Sequence, residues 1–134
     1  MLSSVSAPRG TLVVTVYEGV NLEREDTFGK NDAFVELWLD KDYKQRTEVL
    51  KDQESPVWNQ TFTFPIEEGS KHHKLYLRVL DKDTAGTDDI GEGKVDFTSV
   101  YEGEQIDTLV DLPKHLHLSS HGQIHVGISF NRDE

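Results

Sequence analysis

The chain has 134 residues, no cysteine and a formal net charge of −11 at pH 7. Without cysteine it has no disulfide framework and no thiolate metal site. Its acidity argues against nucleic-acid binding and against constitutive binding to an anionic membrane. The length predicts one domain that buries about two-thirds of its unfolded surface. The composition therefore favours cationic partners, metal ions among them. The alternative is that the acidic surface only keeps the protein soluble.

Short runs of alternating apolar residues follow one another along the chain, separated by turn residues. This alternation is typical of half-buried strands. Short strands with this punctuation predict an all-β fold, an eight-stranded antiparallel β-sandwich. The apolar sets are Leu12, Val14 and Val16; Val35, Leu37 and Leu39; Trp58, Phe62 and Phe64; Leu75, Leu77 and Val79; Val95 and Phe97; Ile106 and Val110; and Ile124, Val126, Ile128 and Phe130.

The ends of the chain lack this pattern. We expect residues 1–10 to form a flexible N-terminus, residues 11–131 to form the domain, and residues 132–134 to form a tail. The segment Thr98–Glu104 is predicted to hold a helical turn.

The first acidic segment reads NLEREDTFGKNDAFVELWL and opens on a strand. In it, Asp26 and Asp32 are six residues apart, with Gly29 between them to let the chain curl.

The second acidic segment, DKDTAGTDDIGE, runs from Asp81 to Glu92. Its spacing is similar to an EF-hand loop, but strand-like alternation on both sides replaces the two helices that an EF-hand needs. We therefore interpret it as an acidic loop between two strands. Alternation points Asp81 and Asp83 the same way, and Asp89 lies where the loop returns.

Carboxylates converging from two loops favour calcium, which takes six to eight oxygen ligands in flexible geometry. Zinc would prefer nitrogen or sulfur, and neither loop contains histidine or cysteine. The alternative is that surface loops of an acidic protein are simply acidic. Two loops with these spacings favour a metal site.

Three motifs in order resemble the C2 domain family. NLEREDTFGKNDAFVEL is similar to its first calcium-binding region, ESPVWNQTFTF to its Asn-Pro-x-Trp-Asn signature, and LRVLDKDTAGTDDIGE to its third region. The resemblance implies a Greek-key sandwich of type II strand order with the calcium loops at one tip. It also implies five metal ligands: Asp26, Asp32, Asp81, Asp83 and Asp89.

The resemblance further implies two calcium ions rather than three, because Gly86 stands where many members have a hydroxyl ligand. Lys44 and Arg46 match half of the family's basic groove, although Asp42 and Glu48 dilute it. Phe28 could insert into a membrane or pack against a neighbouring loop. The residues expected at the membrane or its lipids are Phe28, Thr27, Lys30, Lys51, Thr84 and Ala85.

The sequence thus predicts a monomeric, cytoplasmic calcium-binding module that docks reversibly on anionic phospholipid membranes. The alternative is a calcium-insensitive or calcium-regulated protein-interaction scaffold. We expect no enzyme activity, because no nucleophile lies in a pattern with a base. The pair His115 and His117 could share a strand face, but the sequence offers no third zinc ligand beside them.

Overall fold

The computed structural model describes residues 6–22, 32–53, 55–83, 86–113 and 120–134. These residues form eight strands and one 3₁₀ helix. The strands are β1 Gly10–Val20, β2 Ala33–Asp40, β3 Tyr43–Arg46, β4 Val57–Ile66, β5 Lys74–Asp83, β6 Gly86–Asp96, β7 Ile106–Pro113 and β8 Ser120–Arg132, and the 3₁₀ helix is Thr98–Glu102.

The strands form two antiparallel sheets of four. The first sheet has the order β4-β1-β8-β7 and the second has the order β3-β2-β5-β6. The predicted eight-stranded antiparallel sandwich is confirmed. β1 pairs with both β4 and β8 and leads into the first acidic segment, which is the predicted type II order.

The core lies between the sheets, where alternate residues of each strand point inward. The predicted apolar sets supply most of it, with Leu39, Phe62, Val95, Ile106 and Phe130 packed partly buried at its margin. Fully or nearly fully buried members include Leu12, Val14, Val35, Leu37, Leu75, Leu77, Ile124 and Val126.

The second acidic segment is mostly strand rather than the loop that the sequence predicted. After a bulge beside Leu80, pairing between β5 and β6 continues to Asp83 opposite Gly86. Strands on both sides confirm that this segment is not an EF-hand. The residues from Gly86 onward therefore belong to a strand with two defined faces.

The edge strands β6 and β7 approach each other closely at a glycine. A Cβ atom on Gly93 would lie 2.3 Å from the carbonyl oxygen of Asp111 and 2.9 Å from Cγ1 of Val110. No side chain fits at this distance without moving the backbone of β7. Glycine at position 93 therefore allows β6 and β7 to pack together along one side of the sandwich.

The two ends of the described sandwich lie side by side. Gly10 at the start of β1 pairs with Arg132 at the end of β8, and the Asp133 N–H donates to the Arg9 carbonyl oxygen at 2.9 Å. Ala7 is buried, and its carbonyl oxygen accepts the Gly69 N–H at 2.8 Å. Residues before residue 11 thus contact the sandwich, and the predicted bounds of the domain stay a prediction.

The predicted helical turn corresponds to the 3₁₀ helix Thr98–Glu102. His115 and His117 lie outside the described residues. No helix in the described ranges is long and apolar enough to cross a membrane.

Candidate functional site

One end of the second sheet gathers acidic residues from three parts of the chain. We call it the aspartate end and define it by Asp32, Asp52, Asp81 and Asp88. Asp32 precedes β2, Asp52 follows β3, Asp81 lies near the end of β5, and Asp88 lies near the start of β6. Ala33 pairs with Asp81 in antiparallel register, so the start of β2 lies beside the end of β5.

Asp81 is the buried member of this group, with 0% of its surface exposed. Its Oδ1 accepts the main-chain N–H of Asp32 at 2.8 Å, and the Lys82 N–H donates to the Asp32 carbonyl oxygen at 3.0 Å. Burying a carboxylate costs free energy unless hydrogen bonds or a cation compensate. The fold therefore keeps a carboxylate where an oxygen-seeking cation would lower that cost.

The Asp32 side chain is also held by a neighbouring segment. Its Oδ1 accepts the main-chain N–H of Asp52 at 2.7 Å. Asp32 therefore links the start of β2 to the end of β5 through its main chain, and to the segment after β3 through its carboxylate.

One predicted ligand lies outside the described structure, and another is described only in part. Asp26 lies outside the described residues, and for Asp83 only the main chain, opposite Gly86, is described. Among the side chains that are described, no group of three histidine or acidic residues is close enough to hold a metal ion. The described side chains alone therefore form no metal-binding group.

Asp89 has a partner within the protein. The Arg78 guanidinium donates from Nε to Asp89 Oδ1 at 2.8 Å and from Nη2 to Oδ2 at 2.6 Å. This two-pronged ion pair raises the pKa of Arg78 above its ordinary value, chiefly through the hydrogen bond. Both oxygens of Asp89 are thus engaged on the outer face of the second sheet.

Strand register separates Asp89 from its neighbour Asp88. A bulge between β5 and β6 places Leu80 opposite Asp89 and Asp81 opposite Asp88. Residues directly opposite each other in an antiparallel pair share a face of the sheet. Asp88 therefore shares the face of Asp81, whereas Asp89 shares the face of Leu80 and Arg78. The prediction that Asp89 is a ligand stays a prediction, with Asp88 as a structural competitor.

The predicted membrane contacts lie mostly outside the described residues, namely Thr27, Phe28, Lys30, Thr84 and Ala85. Lys51 is described and is exposed next to Asp52 in the segment after β3. Lys51 is thus an exposed neighbour in sequence of one residue of the aspartate end.

Lys44 and Arg46, the predicted basic groove, lie over aromatic rings of the second sheet. The Lys44 ammonium lies 4.5 Å from the centre of the Trp38 ring, which stacks on Tyr76 at 5.8 Å. The Arg46 guanidinium lies 5.9 Å from the centre of the Phe34 ring. Both cations are exposed but rest on aromatic rings, and Trp38 is only 4% exposed beneath its lysine.

The sequence reasoning did not single out Asp52 or Arg78, and it assigned no ligand role to Asp88. Alternation counted backward from Ile90, which is buried in the core, would have put Asp88 on the inward side and Asp89 on the outward side. Asp52 contributes through its main chain, which no side-chain pattern signals. Arg78 was correctly placed on a strand. Its pairing with Asp89 depends on the bulge, which puts Asp89 on the same face of the sheet as Arg78.

Comparison with known proteins now identifies the family. The C2 domain family matches residues 10–112. The chain is 45% identical to synaptotagmin-4 of Arabidopsis thaliana over 98 residues, which are 72% of this chain and 17% of that protein. It is 31% identical over 96 residues to an Arabidopsis thaliana protein named calcium-dependent lipid-binding protein, covering 72% of this chain and 19% of that protein.

The fold is also that of a solved C2 structure. A C2 domain of plant extended synaptotagmin 1 superposes with a TM-score of 0.79 at 23% identity, covering 95% of this chain and 98% of that one. The chain spans less than one fifth of the two curated relatives named above, so what those whole proteins do does not transfer directly. The chain belongs to the C2 domain family.

Proposed function

We propose that this C2 domain binds calcium at the aspartate end and thereby docks reversibly on anionic phospholipid membranes. The observation that carries the proposal is the buried Asp81 carboxylate, held at the meeting point of β2 and β5. The relative named calcium-dependent lipid-binding protein supports it from outside the structure. In this proposal the domain binds and catalyses no reaction.

The ligands in this proposal are aspartates from both acidic segments. We propose Asp26, Asp32, Asp81 and Asp83 as four of the ligands. The fifth is one aspartate near the start of β6, either Asp89 or Asp88. An all-oxygen donor set suits calcium rather than zinc. The number of ions that we propose is two.

Bound calcium would offset the local negative charge and offer coordination positions to lipid phosphate or carboxylate oxygens. The chain carries a net charge of −11, so without calcium an anionic surface repels it. Lys51, exposed beside the aspartate end, would then lie near the headgroups. We place such a protein in the cytoplasm, recruited to membranes by calcium.

Co-sedimentation with vesicles tests the proposal directly. Vesicles containing phosphatidylserine should carry the protein to the pellet in millimolar calcium but not in EDTA, and neutral phosphatidylcholine vesicles should not carry it. Raising the salt concentration should release it, because the contact is largely electrostatic. Absence of pelleting in calcium would refute membrane docking.

The Phe28→Ala variant separates two ways of docking. If the ring inserts into the membrane, the variant loses vesicle affinity, by up to about 1.5–3 kcal/mol for full burial, and keeps its lipid-free calcium affinity. If the ring packs within the loop, thermal stability and calcium affinity fall together. Unchanged vesicle affinity would leave calcium bridging and electrostatics as the whole contact.

The second candidate function is a protein-interaction scaffold. It is favoured by the outer face of the second sheet, where Lys44, Trp38 and Tyr76 form a continuous cation–aromatic row outside the aspartate end. Equal vesicle binding in EDTA and in calcium, abolished by the double change of Lys44→Ala and Arg46→Ala, would assign lipid binding to this face. No vesicle binding under either condition would favour the scaffold.

A further inference from the structure

The segment after β3 runs alongside the start of β2. The Val35 N–H donates to Thr47 Oγ1 at 2.9 Å, and the Thr47 N–H returns to the Val35 carbonyl oxygen at 2.9 Å. Ala33 and Leu50 then exchange main-chain hydrogen bonds at 3.2 and 3.1 Å. These contacts bring the next residues of the segment beside Asp32.

Asp52 reaches Asp32 through its backbone in an uncommon conformation. It has a φ of 56°, which is in the left-handed region that residues other than glycine, asparagine and aspartate rarely adopt. In this conformation its N–H donates to Asp32 Oδ1 at 2.7 Å. The left-handed backbone and the short hydrogen bond occur at the same residue.

We propose that Asp52 is a positioning residue for the calcium site, and that it acts through its main-chain N–H and not through its carboxylate. This inference rests on the proposed function. Carboxylates that bind metals are commonly oriented by hydrogen bonds from groups that do not touch the ion, and loss of such a partner costs about 10–100-fold in affinity. A carboxylate has about four acceptor positions, so one N–H leaves room for an ion.

The two roles that Asp52 could have respond differently to substitution. Asp52→Gly and Asp52→Asn keep the N–H and accept a positive φ, but they remove the carboxylate. Asp52→Val disfavours a positive φ strongly, because its side chain is branched at Cβ, and so displaces the N–H. Asp52→Ala imposes the same kind of strain more mildly.

The experiment measures lipid-free calcium affinity by isothermal titration of the full chain and its variants. Asp52→Gly and Asp52→Asn should stay within about twofold of the parent, whereas Asp52→Val should lose about tenfold or more. Asp52→Ala should fall between them, and it replaces the valine variant if that variant does not fold. Thermal melts in EDTA report the stability of each variant separately.

The matched control is Asn59→Val. Asn59, near the start of β4, has a φ of 48°, so valine imposes the same kind of backbone strain at a residue that makes no described hydrogen bond to Asp32. This control should lose stability but keep calcium affinity. Loss of calcium affinity in Asp52→Gly and Asp52→Asn would overturn the proposal by making the carboxylate a ligand. Unchanged affinity in Asp52→Val would overturn it as well, and a parent chain without calcium binding would remove the proposed function itself.

Discussion

The two faces of the β5–β6 hairpin use the same residue type in different ways. On the outer face, Arg78 engages both oxygens of Asp89. On the other face, the register sets Asp81 opposite Asp88, which places two carboxylates on the same side of the hairpin. The comparison teaches that the face of the strand, and not acidity as such, separates a metal candidate from a structural carboxylate.

The largest expected effect is calcium-dependent stability on the Asp81 face. A ligand that binds only the folded state adds about 2.7 kcal/mol at a hundredfold excess over its dissociation constant. Thermal melts in EDTA and in millimolar calcium should therefore differ for the parent chain, and Asp81→Asn should remove most of the difference. Asp42→Asn, an exposed change in the turn between β2 and β3, is the control. Superimposed melts of the parent would show that this face binds no calcium.

A smaller effect is the difference in calcium affinity between variants of the adjacent residues Asp88 and Asp89. Asp88→Asn removes a carboxylate from the face of Asp81 and should weaken calcium binding by about tenfold. Asp89→Asn removes the partner of Arg78 and should weaken it less. Calcium titrations of the two variants provide the test, each serving as the control for the other. The reverse order would restore Asp89 as the ligand and end the distinction between the faces.

The ion pair between Arg78 and Asp89 on the outer face should stabilise the fold modestly, and it should do so in the absence of calcium. The Arg78 and Asp89 side chains are 35% and 57% exposed, and exposed ion pairs stabilise by about 0.2–1 kcal/mol. A double-mutant cycle of Arg78→Met and Asp89→Asn in EDTA should give a coupling in this range that shrinks at high salt. A coupling that appears only with calcium would mean that the pair belongs to the metal site.

The smallest effect concerns Asp96 at the far end of β6. Hydrogen bonds from the Thr98 hydroxyl at 2.6 Å and the Thr98 N–H at 2.8 Å lower the pKa of Asp96 below its ordinary value. A lowered folded pKa stabilises the fold above the unfolded pKa of about 3.9 and loses this effect as pH falls through the folded pKa. Asp96→Asn should therefore melt slightly below the parent at pH 7, and the curves should converge in acid. A gap that persists in acid would exclude the charge as its cause.

Much of the fold follows from local patterns. Leu12, Val14 and Val16 alternate because β1 has one buried face, and the same argument places the apolar residues of β5 and β8. The length of the β5–β6 hairpin could not be predicted from such patterns. Main-chain pairing extends both strands through acidic residues that the sequence analysis interpreted as a loop.

The candidate site was predictable in its residue type but not in its geometry. Asp32 and Asp81 are far apart in sequence and meet only through the pairing of β2 with β5. A bulge decides whether Asp88 or Asp89 faces Asp81, and a one-residue shift of register reverses the face of every side chain. Lys44 and Arg46 were correctly placed on a strand, but the aromatic rings beneath them belong to β2.

The pairing of Gly10 with Arg132 has a mechanical consequence. Both ends of the sandwich leave from one pole, and β1, with 11 residues or about 36 Å of extended chain, separates that pole from the first acidic segment. A tether or fluorophore joined to either end would therefore stand away from the aspartate end. A pulling force applied between the two ends would load the β1–β8 hydrogen bonds one after another, like a zipper, rather than all at once.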